Sequence, residues 1–230
     1  MYRTLYHMNK ISLITYLILL VCTPVLKNTT DQSTLEIDWS NWKLQTVSNG
    51  KVVFVDPSKF TSPYFYFQNN VYNMKTVYGW PTTQNAKYPR TELRELNNTK
   101  NAEWRLDTGM HVLEFEISIL TKDKLIFSQI KSDPGPTGGP LKLWSLNGRI
   151  WAQQGPHSGK TFTMLENYNN QKLHFLIVAT NNIVTVTLNK QTTIFFNSTQ
   201  QNNYFKVGNY YHGNSSSTVL LHSLKIKHTV

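Results

Sequence analysis

From Trp39 onward the chain is written in short runs of alternating apolar and polar residues, cut apart by turn residues. Leu113, Phe115, Ile117 and Ile119 alternate with Glu114, Glu116 and Ser118. A period of two puts one row on a buried face and the other on a wet one, the mark of a half-buried strand. Asn49-Gly50 separates Leu44–Val47 from Val52–Val55, and Asn147-Gly148 separates Leu141–Trp144 from Arg149–Ala152. Asn-Gly tolerates the positive φ angles of a type I′ turn, so both predict β-hairpins. Asn181-Asn182 predicts another turn, between Leu173–Ala179 and Ile183–Leu188, and Val219 to Ile226 closes the chain in the same style. There is no long, capped 3.6-residue period and no internal repeat. Many short strands spaced about 8–12 residues apart predict one all-β domain, a β-sandwich or jelly roll. The Pro/Gly-rich stretch Ser132 to Pro140 breaks this rhythm, which makes Pro134–Pro140 a candidate lid.

The N-terminus reads differently. Arg3 and Lys10 precede an apolar run from Ile11 to Val21, too short for a comfortable membrane span, so residues 1–26 are expected to be a secretory signal and 27–37 a polar linker. The folded domain is expected to occupy residues 38–230. The one cysteine, Cys22, lies inside the signal, so the secreted protein has no disulfide and depends on packing. Asn28, Asn97, Asn197 and Asn214 open Asn-x-Ser/Thr sequons, the acceptors of surface glycans in an exported eukaryotic product. The net charge of +10 suits an acidic polysaccharide outside the cell. Without a block of consecutive Lys/Arg, no nucleic acid is expected as a partner. After signal removal no membrane association is expected, and the chain is expected to be a monomer.

Three stretches carry polar rows. In Tyr88-Pro-Arg-Thr-Glu-Leu-Arg-Glu-Leu96, residues Arg90, Glu92 and Arg94 share a face, leaving Leu93 and Leu96 for packing. Two guanidiniums around a carboxylate suit bidentate capture of a carboxylate ligand, or form a plain salt-bridge ladder. In Leu125-Ile-Phe-Ser-Gln-Ile-Lys131, Gln129 and Lys131 share one face and Ile126, Ser128 and Ile130 the other. In Tyr204-Phe-Lys-Val-Gly-Asn-Tyr-Tyr-His212, the shared face holds Tyr204, Lys206, Gly208, Tyr210 and His212, with Gly208 expected to leave room for a ligand. Together these rows are the inventory of a groove for a polyanion.

The three stretches resemble, in order and spacing, the signature motifs of polysaccharide lyase family 7, the alginate lyases: Arg-Ser/Thr-Glu-Leu-Arg, Gln-Ile/Val-His and Tyr-Phe-Lys-Ala-Gly-x-Tyr-x-Gln. Trp42-Lys-Leu-Gln45 is similar to the opening of many family domains. The resemblance implies a single-domain β-jelly roll of two antiparallel sheets, whose concave groove binds a polyuronate such as alginate and cleaves it by β-elimination. No cofactor or metal is implied. By motif position, the family's catalytic residues fall on Arg90, Gln129 and Tyr210, with Lys131 where the family has histidine. Glu92, Arg94, Lys142, Tyr204, Lys206 and His212 are the expected substrate contacts. Arg90 and Gln129 would neutralise the uronate carboxylate as charge develops. Tyr210 would protonate the departing O4, its phenolate favoured by nearby Arg90, Arg94 and Lys206. Three roles stay open to Lys131: a base of depressed pKa, a charged neutraliser that leaves Tyr210 to act as both base and acid, or the mark of a site that only holds its ligand.

Other chemistries fare worse. Glu114 and Glu116 are the only candidate carboxylates for glycoside hydrolysis and lack the further acidic residue that signature carries. The seven histidines show no ligand-type spacing, and no serine or cysteine nucleophile motif occurs. A non-catalytic, lectin-like groove and a glucuronan lyase remain the alternatives. Trp80, Trp104, Trp144 and Trp151 are available to stack on sugars or to fill the core.

Overall fold

The computed structural model describes residues 37–229 apart from 85, 134–137 and 156–158. The expected signal, nearly all of the linker, Cys22, Asn28 and most of the expected lid lie outside the described residues. The described strands are, in chain order, β1 (Trp42–Ser48), β2 (Lys51–Val55), β3 (Phe65–Gln68), β4 (Val71–Val77), β5 (Arg90–Asn97), β6 (Lys100–Asn101), β7 (Met110–Ile119) and β8 (Leu125–Ser132). They continue with β9 (Leu141–Leu146), β10 (Arg149–Gln154), β11 (Thr161–Leu165), β12 (Leu173–Thr180), β13 (Ile183–Leu188), β14 (Thr192–Asn197), β15 (Asn203–Tyr211) and β16 (Ser216–Thr229).

These form two antiparallel sheets, the jelly-roll architecture expected. One runs β11-β10-β9-β8-β15-β5-β1-β2, with β6 on the end of β5, and the other runs β14-β13-β12-β7-β16-β4-β3. The three turns sit where the Asn pairs placed them, with φ of 50° and 69° at Asn49-Gly50, 52° and 77° at Asn147-Gly148, and 50° and 62° at Asn181-Asn182. Alternation then builds the core. Leu44, Leu93, Phe127, Ile130, Leu143 and Val207 of the first sheet meet Leu113, Phe115, Ile117, Phe175, Ile177 and Leu221 of the second, all with no exposed surface. The Phe127 and Phe175 rings lie 5.1 Å apart. Each such side chain contributes about 1.5–3 kcal/mol by leaving water, which supplies what disulfides do elsewhere.

Strand β5 shows how one strand serves two purposes. Its core side carries Leu93 and the buried Glu95, whose Oε2 accepts hydrogen bonds from Trp104 Nε1 at 3.0 Å and the Phe205 amide at 2.7 Å. Trp104 is accordingly core, not a sugar platform. The outer side of β5 carries Arg90, Glu92 and Arg94. One local feature departs from strict alternation: the pairing of β8 with β9 slips between Ile126 and Ser128, and that of β15 with β8 slips between Val207 and Tyr210. These bulges re-aim side chains at the site.

Candidate active site

Register assembles the site. Across the outer face of the first sheet, Lys43 pairs with Arg94, Arg94 with Lys206, Lys206 with Gln129, Gln129 with Lys142, and Lys142 with Gln153. This is a polar line running across the strands, each member about 5 Å from the next. A second line runs Arg90, Tyr210, Ile126, Trp144 and Trp151. Lys131 pairs with Tyr204, on the far side of the first line from Tyr210. Lys131 and Ile126, Tyr210's partner, are five residues apart on β8, about 16 Å of strand. Lys131 and Tyr210 therefore stand at opposite ends of this row. Both residues line one cleft of about 490 Å³, together with Arg90, Gln129, Lys142, Trp144 and His212.

Glu92 is the hub beneath this cleft. It has no exposed surface. Its Oε2 meets Arg90 Nη1 at 3.1 Å and forms a close ion pair with Lys206 Nζ, and its Oε1 accepts a hydrogen bond from Gln129 Nε2 at 3.1 Å. Burial alone would raise the Glu92 carboxyl, but Lys206 and Arg90 outweigh it and hold the group below its ordinary value. Burial pulls the Lys206 ammonium down to about 8 in spite of Glu92, with Arg90 adding to the pull.

Around the hub, Arg90 lies over the Tyr210 ring at 3.8 Å and Arg94 over the Tyr204 ring at 3.8 Å. Arg94 Nη2 also pairs with Asp133 at 2.7 Å. His212 stacks on Tyr88 with centroids 4.1 Å apart and meets Tyr210 edge-on at 4.6 Å. Burial pulls the His212 imidazole down to about 4, with Lys124 and Lys142 adding to it, so the ring is neutral near pH 7. Its Nε2 is buried without a hydrogen-bond partner among the described residues. Burial lowers the Lys131 ammonium and raises the Tyr210 phenol.

Several expectations change on this geometry. Glu92 and Tyr204 share the groove-side face but lie beneath it, Glu92 with no exposed surface and Tyr204 4% exposed, so they support the arginines from below instead of reaching a ligand. Lys206, held by Glu92, lines the cleft floor beside Gln129. The cations around Tyr210 were expected to favour its phenolate. Desolvation outweighs Arg90, and the phenol keeps its proton. Gly208, expected to leave ligand space, has none: a Cβ there would lie 2.6 Å from the Thr91 carbonyl oxygen and 2.7 Å from Glu92 Cα. Ile126 joins Gln129 and Lys131 on the cleft side because of the bulge after it. Glu114 and Glu116 sit on the outer face of the other sheet, bound to His174 at 2.8 Å and Lys172 at 3.3 Å. The residues missed were Lys124, whose Nζ lies 5.1 Å from the Trp144 ring centroid, Asp133 and Tyr88. Each flanks a strand, where the period-of-two reading did not extend.

A two-sheet jelly roll whose cleft is lined by Arg90, Lys131, Lys142 and Lys206 defines a protein suited to acidic polymers. The chain belongs to the alginate lyase family, whose family model matches residues 37–228, and it is a polysaccharide lyase. Among solved structures it is similar to alginate lyase A1-II′ of polysaccharide lyase family 7, at 24% identity and TM-score 0.75 over 84% of this chain and 96% of that one. It is also similar to alginate lyase PA1167 from Pseudomonas aeruginosa, at 21% and 0.75 over 84% and 100%. AlyA1 from Zobellia galactanivorans matches at 21% and 0.70 over 86% and 98%. No curated protein sequence matches the chain.

Proposed function

We propose that the cleft between Lys131 and Tyr210 cleaves a uronic acid polymer such as alginate by β-elimination, with Lys131 as the base and Tyr210 as the acid. The observation that carries this is their placement on opposite sides of the polar line, with environments that push a lysine down and a tyrosine up. Groups pushed apart in this way take opposite proton-transfer roles. A bound uronate presents its carboxylate to Arg90 and Gln129, both fixed by Glu92, which offset the charge that builds as C5 loses its proton. Lys131 in its unprotonated form takes that proton, the C4–O4 bond breaks, and the Tyr210 hydroxyl protonates the departing O4. The product carries a C4=C5 double bond at its new non-reducing end, and solvent returns the proton from Lys131 to Tyr210.

Stereochemistry tests the assignment. In guluronate the C5 proton and O4 lie on opposite ring faces, which suits two opposed groups. In mannuronate and glucuronate they lie on the same face, and one group must serve both. The decisive assay follows the ultraviolet band of the unsaturated uronate on polymannuronate, polyguluronate, glucuronan and polygalacturonate. We expect turnover of polyguluronate, reduced a hundredfold or more, on the order of one general-acid contribution, in Tyr210→Phe. Turnover of polymannuronate or glucuronan alone would assign both proton steps to Tyr210 and leave Lys131 as a neutraliser. Binding without turnover on every polymer would make the cleft a lectin.

Export completes the reading. The N-terminal segment supports a secreted protein, and the exposed Asn97, Asn197 and Asn214 support surface glycans. Recovery of the protein from the cells and not the medium would remove the secretion step.

A further inference from the structure

We infer that the cleft extends past Arg94 to a separate sugar subsite formed by Lys43, Gln45 and Phe54 at the open edge of the first sheet. The inference rests on the polyuronate reading above. Gln45 pairs with Glu92 on one side and with Phe54 on the other, and Lys43 pairs with Arg94, so all three lie on the cleft face. Phe54 is 55% exposed. A phenyl ring standing on a sheet face does no core packing, and an edge strand such as β2 normally carries charge there to discourage association. Lys43 Nζ lies 5.5 Å from the Phe54 ring centroid and is held by Asn101 Oδ1 at 2.7 Å. The set offers what one uronate ring needs: an aromatic face for its C–H surface, an ammonium for its carboxylate, and an amide for a hydroxyl.

Position gives the subsite its consequence. From Tyr210 on β15 to Phe54 on β2 is three strand spacings, about 14 Å. In the other direction the cleft face continues through Lys142 and Trp144 to Trp151 and Gln153 on β10. Tyr210 therefore lies inside the run of contacts and not at its end. Oligomers therefore contact the protein on both sides of the scissile bond, and chains that reach Phe54 bind best.

The test is a series of uronate oligomers of increasing length, with KM and kcat measured separately for the native protein, Phe54→Ala and Phe54→Tyr. We expect the native KM to fall once the oligomer is long enough to reach β2. In Phe54→Ala that fall should disappear, raising KM on long chains about tenfold, the size of one aromatic contact, and Phe54→Tyr should restore it. An unchanged dependence on length in Phe54→Ala overturns the subsite. Should Phe54→Ala fold poorly, Lys43→Gln reports the same split. Equilibrium binding of long chains to Tyr210→Phe separates the two levels of the proposal. If no polymer is cut but Phe54→Ala still weakens binding, the subsite stands and the elimination chemistry falls. If binding is also indifferent to Phe54, the subsite falls too.

Discussion

Replacing Glu92 by glutamine removes the one negative charge on which Lys206, Arg90 and Gln129 converge. The pair it breaks is deep: the side chain of Glu92 is fully buried and that of Lys206 is 7% exposed. Leaving a buried ammonium without its partner costs about 3–5 kcal/mol. For a domain of this size that lowers Tm by roughly 6–20 °C. A second substitution isolates the cause. Adding Lys206→Met to Glu92→Gln removes the orphaned charge, and an apolar replacement for a buried pair is close to neutral, so most of the lost stability should return. The pH dependence has a definite sign. Lys206 binds its proton up to the ordinary lysine range when unfolded but only to about 8 when folded, so its contribution to stability rises with pH above 8. Without Glu92 the folded Lys206 pKa falls further, so the deficit of Glu92→Gln should shrink as pH rises through 8, where native Lys206 gives up its own proton, and level off above it. Thermal unfolding of the native protein, Glu92→Gln, Lys206→Met and the double variant, at pH 7 and pH 9.5, measures all of this. A Tm unchanged in Glu92→Gln, or a deficit that grows with pH, would refute Glu92 as the hub.

Two further outcomes follow from the geometry. Gly208→Ala forces a Cβ against the Thr91 carbonyl and Glu92 Cα at a φ of +148°, so it should cost about 3 kcal/mol or more, read as a lower urea midpoint; an unchanged midpoint would show that β15 and β5 are not in close approach there. His212 is neutral in the fold and must charge as acid rises, since its folded pKa of about 4 lies below the ordinary 6.5. The stability it permits is complete above pH 6.5 and is lost as pH falls to 4, by about 2 kcal/mol once the partial exposure of the ring is allowed for. His212→Phe keeps the stack on Tyr88 and should flatten the acid limb of Tm against pH; an unaltered limb would exclude His212 as its source.

What the sequence made legible was whatever depends on neighbours along the chain. Asn49-Gly50 and Asn147-Gly148 placed their hairpins because positive φ is a property of the turn residues themselves. The period of two put Arg90, Glu92 and Arg94 on one face because β5 is regular. It failed at Ile126, where a bulge inserts an extra residue and no residue type announces it. Depth was also hidden. Arg94 and Tyr204 share a face, and only the pairing of β5 with β15 lays one over the other. Tyr210 went astray for a related reason: the nearby cations could be counted from the motifs, while the desolvation that outweighs them depends on packing. Lys43 and Phe54 became visible as part of the cleft only when β1 and β2 took their places beside β5.

The two carboxylates beside the cleft serve different ends because of where they sit. A site for a polyanion must be positive, yet Arg90, Lys206 and Lys131 repel one another and lose hydration as they are brought together. Glu92 answers this from the floor, where no substrate carboxylate can displace it, and so fixes Arg90, Gln129 and Lys206 in one arrangement. Asp133 holds Arg94 from the rim, with 42% of its side chain exposed. An ion pair in that setting contributes no more than about 1 kcal/mol. A uronate carboxylate entering along the polar line can therefore take Arg94 from Asp133 at little cost, and it cannot take Arg90 from Glu92. In the proposed elimination Arg90 keeps the geometry the reaction needs while Arg94 is left for binding, so the two arginines of one motif would be separated in role by the burial of their partners.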